Sequence, residues 1–372
     1  MRQPTYRCLR LFPVLLVAAL LGSGSPIALT APADPTMVKA RQAVAKGLAY
    51  LRGVQETDGS WGEYPAKTAL ALAAFLRNGR TELNEPAVAK GVQFLLRSTK
   101  PNGAIYSDAN PAQALPNYNT SLCLMALALT HNGAYRPIIQ KAQQYLQQSQ
   151  FDDGEGVVPS DPRYGGIGYG SHPDQPDLSN LETALESLKD SGLPGSAPVW
   201  QKAIVFLQRL QNRKESNDQA WAKEGPDDGG FVYNTQGRSY VDSNHTSYGS
   251  MTYAGLKSYI YCGVTRSDPR AQAAWNWIRG HYTVTEHPGG MGNASLYYYY
   301  HTMAKTLDVY GQKIVKDVRG NAHDWAHDLA AQLVTVQRAD GSWYNDNARF
   351  WENQPPLVTS YSLISLSYCL KH

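Results

Sequence analysis

The chain has 372 residues, with 34 Lys and Arg against 31 Asp and Glu and a net charge of +3. The charges are scattered rather than gathered into a basic run, which argues against a nucleic-acid partner. The length is enough for a large core or for two domains.

At the N-terminus, Arg2, Arg7 and Arg10 precede or punctuate the approach to an apolar segment from Leu11 to Leu21, followed by Ala31-Pro32-Ala33. This is the layout of a secretory signal peptide, residues 1–33, cleaved near Ala33. The apolar run is interrupted by Pro13 and falls short of the roughly 20 residues that span a bilayer. The expectation is an exported protein, periplasmic or extracellular, whose mature part 34–372 is a single domain without a membrane span. Cys123, Cys262 and Cys369 sit in apolar helical runs and read as buried free thiols.

Gln55 to Trp61 reads Gln-Glu-Thr-Asp-Gly-Ser-Trp and returns at Gln337 to Trp343 as Gln-Arg-Ala-Asp-Gly-Ser-Trp. Each copy lies between two apolar helical patterns, so the unit is helix, Asp-Gly turn, helix, and the chain is a repeat protein. The Asp-Gly pair supplies a positive-φ stop for the first helix. The Gln amide is placed to satisfy backbone groups left open at a helix end. Gly59, Gly103, Gly154, Gly229, Gly290 and Gly341 serve as landmarks for six such units.

Taken in order, the first helix of each unit carries one apolar stripe. The stripes are Val44, Leu48, Leu51; Val88, Val92, Leu95; Ile138, Ala142, Tyr145; Val199, Ala203, Phe206, Leu210; Ala271, Ala274, Trp275, Ile278; and Trp325, Leu329, Leu333, Val336. The second helices, such as 68–75, 121–129 and 357–370, are apolar or small nearly all round, as befits helices buried on every side. No segment reads convincingly as strand. Pro159 to Asp177 and Asn212 to Asn244 are long insertions, of the kind that are functional or mobile. The fold class is all-α, an (α/α)6 toroid of six helical hairpins.

The pattern Lys46-Gly47-x-x-Tyr50-Leu51-x3-Gln55-x3-Gly59-Ser60-Trp61 resembles the Gln-Trp repeat of squalene-hopene and oxidosqualene cyclases, shared in looser form with protein prenyltransferase β-subunits. Lys90-Gly91-x-x-Phe94-Leu95 and Lys202-x-x-x-Phe206-Leu207-x3-Gln211 are weaker copies. Tyr248 to Gly255 and Tyr297 to His301 also resemble exported bacterial members of this repeat family. The resemblance implies inner helices around a central cavity. It does not supply the chemistry: the Asp-x-Asp-Asp and Asp-Cys-Thr-Ala-Glu acid motifs are missing, and Ile260 stands two residues before Cys262 where the prenyltransferase zinc site has Asp. No metal and no cofactor is expected.

Loops leading into the inner helices would open on the cavity. Asp242 and His245 are the candidate acid and base there, against the plainer reading of a helix cap and a surface histidine. Tyr118, Asn119, Asn180, Tyr248, Tyr298 and His301 are the candidate ligand-binding residues. Glu182 and Glu186, one helical turn apart, either face the cavity or lie in solvent, and Asp227-Asp228 reads as a turn. The 24 tyrosines could stabilise a cation, stack on a sugar or hold a flat apolar ligand. The partners left open are a hydrophobic small molecule, a glycan and a peripheral membrane surface. The reading is an exported squalene-cyclase-like repeat protein that binds or transforms a hydrophobic isoprenoid-like ligand in a central cavity; the alternatives are a carbohydrate-active lyase or hydrolase on a helical toroid and a non-catalytic protein-interaction module.

Overall fold

The structure, a computed structural model, describes residues 34–62, 64–109, 114–171 and 175–372. The expected signal peptide 1–33 lies outside the described residues. Asp34 to His372 form one compact unit.

Twelve helices make two concentric rings. The inner ring is α2 (Pro65–Arg77), α4 (Pro116–Leu129), α6 (Leu178–Asp190), α9 (Gly249–Tyr261), α11 (Leu296–Tyr310) and α13 (Pro355–Cys369). Each packs on the next, and α13 packs back on α2. The outer helices are α1 (Pro35–Gly53), α3 (Pro86–Arg97), α5 (Arg136–Gln148), α7 (Pro198–Gln208), α10 (Pro269–Gly280) and α12 (Trp325–Thr335). Among the outer helices, α1 packs on α12, so the first and last hairpins meet. A short helix, α8 (Ala220–Glu224), lies within the second insertion.

The motif residues make the joints. Gln55 Nε2 donates to the Gly59 carbonyl at 3.0 Å and to Ala87 on the next outer helix at 2.9 Å. Gln150, Gln211 and Gln337 repeat the arrangement with Gly165 and Val199, Gly229 and Arg270, and Gly341 and Ala43. Each amide therefore staples its own turn to a carbonyl in the first half of the following outer helix. Trp61 and Trp343 donate their indole N–H to Leu51 and Leu333 at 2.7 and 2.8 Å, which satisfies a buried ring donor. Their backbone N–H groups donate to Thr68 and Thr359 on the inner helices. Ile105 and Phe231 do the same with Thr120 and Thr252.

Three expectations are corrected. The third turn glycine is Gly165, at φ +83 with the Lys202 carbonyl too near for a side chain, whereas Gly154 sits in a separate short turn. That turn closes on its own acids: Asp152 accepts from the Gly154 N–H, and Glu155 accepts from the Asp152 N–H. Gly290 lies beside Val241 rather than against the next outer helix; at that joint Tyr282 donates its hydroxyl to Asp328 of α12. Two short strands, β1 (Ile314–Lys316) and β2 (Ala322–Asp324), form an antiparallel hairpin before α12. Residues this few carry no alternation long enough to read.

The inner helices are buried on nearly all faces, as in α9 and α13. Cys123, Cys262 and Cys369 are free and buried among them. Among the described residues no helix is long and apolar enough to cross a membrane.

Candidate functional site

A chamber of about 430 Å³ opens at one end of the inner ring, within the range of small-molecule sites. Its floor and walls come from the first turns of inner helices: Tyr118 of α4, Ser179 of α6, Ser250 and Met251 of α9, and Tyr298 of α11. Tyr361 of α13 and Tyr248, just before α9, complete that layer. The rim comes from loops: Tyr169 from the first insertion, Tyr233 and Tyr240 from the second, and Phe350 and Trp351 before α13. Among the described residues no charged side chain lines it. The surface offered is aromatic faces, two Met side chains and serine hydroxyls.

The backbone is strained around this space. Six non-glycine residues among those described have positive φ, and four of them, Leu115, Ser295, Phe350 and Trp351, line the chamber. Such conformations each cost of order 1–3 kcal/mol and gather at ligand sites. The surroundings hold them. Glu352, buried behind Trp351, accepts from the Tyr297 and Tyr298 N–H groups at 3.2 and 2.8 Å and from Asn345 Nδ2 at 2.7 Å. That ties the strained turn to the start of α11.

Asp177, the N-cap of α6, is buried beside the wall. Its carboxyl accepts from the Asn180 N–H at 2.9 Å and from Asn180 Nδ2 at 2.7 Å. The Tyr233 hydroxyl stands close to this carboxyl and to the Tyr169 hydroxyl. Burial pushes Asp177 up to about 7, against the opposing pull of those hydrogen bonds. A carboxyl group so weakened is a poor proton donor to an unactivated double bond. It suits hydrogen bonding or proton exchange, through Tyr233, with an oxygen of a bound molecule.

Below the chamber, a pocket of about 20 Å³ is walled by Tyr118, Tyr298, Tyr361, Glu182, Glu186 and His301, among others. Deeper still is a buried ion network. Lys257 of α9 contacts both Glu182 and Glu186. Lys305 of α11 bridges Glu186 and Asp190 at 2.5 and 2.7 Å, and Arg77 of α2 reaches Asp190 at 3.2 Å. Three acids thus face three bases across three elements of the ring besides their own. Burial would raise Glu186, but Lys257 and Lys305 hold it well below the usual carboxylate range. Burial dominates at Glu182 and raises it. Burial likewise depresses His301 to about 3, so its imidazole is neutral; its buried Nδ1 has no protein hydrogen-bond partner.

The sequence candidates divide. Tyr118, Tyr248 and Tyr298 line the chamber, and His301 lies in the pocket beneath. Asn180 positions Asp177. Asn119 is occupied with the backbone: its Oδ1 accepts from the Ala66 N–H at 2.7 Å, and its Nδ2 donates to Ala114 and Leu115. Asp242 and His245 are not brought together. Asp242 is exposed and accepts from the Asn244 N–H and the Thr246 hydroxyl, a local turn. His245 packs on Trp221, and its Nδ1 contacts the Gly237 carbonyl at 2.6 Å. Neither residue lines the chamber. Glu182 and Glu186 are buried ion-pair partners rather than solvent-facing. Asp177, Tyr169, Tyr233 and Tyr240 were missed, because they lie in insertions without helical period. Their one signal was the density of tyrosine there.

No family model matches the sequence. One curated relative, drimenyl diphosphate synthase of Streptantibioticus cattleyicolor, is 34% identical over 111 residues, 28% of this chain and 19% of that protein. The match therefore spans about a fifth of its length. Among solved structures, the type II terpene cyclase MstE from Scytonema superposes with a TM-score of 0.56 at 13% identity, covering 91% of this chain and 99% of that one. A D-mannose isomerase gives 0.55 at 11% identity, covering 92% and 99%. At these identities the likeness is one of fold. The chain shares the helical-toroid fold of these proteins.

Proposed function

We propose that this is an exported protein that takes an elongated, apolar, isoprenoid-like molecule into the tyrosine-lined chamber. The carrying observation is the chamber itself: a space of about 430 Å³ whose described lining is aromatic and uncharged. The strained backbone around it supports the same reading. MstE, of the same fold, has been solved with geranylgeranyl dihydroxybenzoate as substrate, and the segment related to drimenyl diphosphate synthase agrees. Export rests on the N-terminal segment 1–33.

A carbohydrate-active site would need free carboxylates facing a groove. Here the acid pair Glu182 and Glu186 is engaged by Lys257, so that reading ranks second. Any reaction in the chamber would draw on Asp177 through Tyr233, in the role its raised pKa suits.

The test is calorimetric titration with all-trans-farnesol, followed by extraction and mass analysis of the lipid. Saturable one-to-one binding is expected. Absence of binding while a sugar binds would overturn the proposal, and a changed mass would establish turnover.

A further inference from the structure

Two arginines stand against one wall residue of the chamber mouth, Tyr240, without lining the chamber themselves. The Arg238 guanidinium sits 4.9 Å from the centroid of the Tyr240 ring, and that of Arg349 sits 5.2 Å from the same centroid. Arg349 is also 5.1 Å from the Phe350 ring and donates from Nη2 to the Tyr240 carbonyl at 3.2 Å. Tyr240 and Phe350 are both walls of the chamber. Two cations thus share one tyrosine ring and can be no further apart than the sum of their distances to it.

Both side chains are exposed, and neither forms an ion pair among the described residues. Between exposed side chains at up to that separation the mutual repulsion is largely screened, and a cation–π contact at an exposed site adds only a modest stabilisation, so both guanidinium groups keep donors open to a ligand. An oxyanion at the mouth within reach of either would gain charge-assisted contacts of the kind guanidinium forms best. The rest of the site points the same way. The first turns of α4, α6, α9 and α11 face the chamber, so the positive ends of four helix dipoles converge there. Their opposite ends lie toward the Lys257 and Lys305 network.

We infer that Arg238 and Arg349 form an anion subsite at the chamber mouth, holding the carboxylate or phosphate head of an amphiphile whose apolar chain lies against the tyrosines. This rests on the chamber reading above and adds the head group and the orientation: head at the rim, chain inward. A neutral terpene would leave the pair unused, and a cationic ligand would be repelled by it.

The test compares all-trans-farnesol, farnesoic acid and farnesyl monophosphate by calorimetry at low and high salt. With the native protein, at least one of the two anions should bind about tenfold more tightly than farnesol at low salt, as expected for a charge-assisted contact. Raising the salt should shrink the difference. Which anion gains more distinguishes a carboxylate from a phosphate head. In the double variant Arg238→Gln/Arg349→Gln the anions should fall to the affinity of farnesol. Arg238→Lys/Arg349→Lys should keep part of the preference, and Arg319→Gln, far along the chain on an exposed turn, should keep all of it. If farnesol binds but neither anion is preferred, or the preference survives in the Gln double variant, the subsite is overturned and the chamber reading stands. If farnesol and both anions fail to bind, both fall.

Discussion

Trp343 and Gly47 meet across the closure of the ring: a Cβ built on Gly47 would lie 2.8 Å from the Trp343 ring and 2.9 Å from Leu363. The last turn of the chain is seated on its first helix by the absence of a side chain. Gly91 repeats the arrangement under Trp61. Gly47→Ala should therefore destabilise by about 1–3 kcal/mol through overpacking. Gly53→Ala, in the same helix with nothing within 4 Å, should be neutral or stabilising by up to about 1 kcal/mol. Urea denaturation of the two variants checks the contrast; equal effects would show that packing against Trp343 does not matter.

Asp177 gives a pH dependence with a definite sign. Its folded pKa of about 7 stands above the ordinary carboxylate value. Its contribution to stability is thus complete below about 3.9 and is lost as pH rises through 7. Asp177→Asn should stabilise the protein at pH 8, by at most about 4 kcal/mol. The gain should shrink by about 2–3 kcal/mol by pH 5. His287 and His301, depressed by burial to about 4 and about 3, act oppositely in the native protein. Their contribution is present above the unfolded value of about 6.5 and is lost as pH falls toward 3. Thermal unfolding of the native and Asn proteins at pH 5 and pH 8 isolates the Asp177 part.

The ion network is built for completeness. Lys257→Met would leave Glu182 and Glu186 buried without their shared cation, at a cost of about 3–5 kcal/mol. Adding Glu182→Gln should recover part of that loss, because it removes the carboxylate left without a cation while Glu186 keeps Lys305. Denaturant midpoints of the single and double variants decide this, and equal midpoints would contradict it.

How far the sequence could carry this follows from what each feature depends on. The Gln-to-Trp joints were legible because a turn, a cap and an indole are local chemistry repeated in register. Gly154 misled because Asp152 and Glu155 build a turn of their own that imitates the signal. Glu182 and Glu186 could not be assigned to a side, since Lys257 and Lys305 lie 71 and 119 residues further from Glu186 along the chain. Tyr118, Tyr248 and Tyr298 were within reach because inner-helix starts face the ring opening. Tyr169, Asp177, Tyr233 and Tyr240 arrive on loops whose course only the folded chain sets.

Filling the chamber should separate binding from stability. Ser179 lines it and contacts the Tyr298 hydroxyl at 3.2 Å. Ser179→Trp places an indole in the space, so farnesol binding should weaken by about tenfold or more, while the unfolding midpoint moves by no more than about 1 kcal/mol. Unchanged affinity would place the ligand elsewhere.

The most direct measurement is crystallographic: diffraction from a crystal soaked with a terminally brominated isoprenoid carboxylate, with the bromine located by anomalous scattering. A bromine peak inside the ring among Tyr118, Tyr248 and Tyr298, with the ligand's acid end toward the mouth, is the predicted result. A peak outside the ring, or an unoccupied chamber beside a ligand bound at another surface, would contradict it.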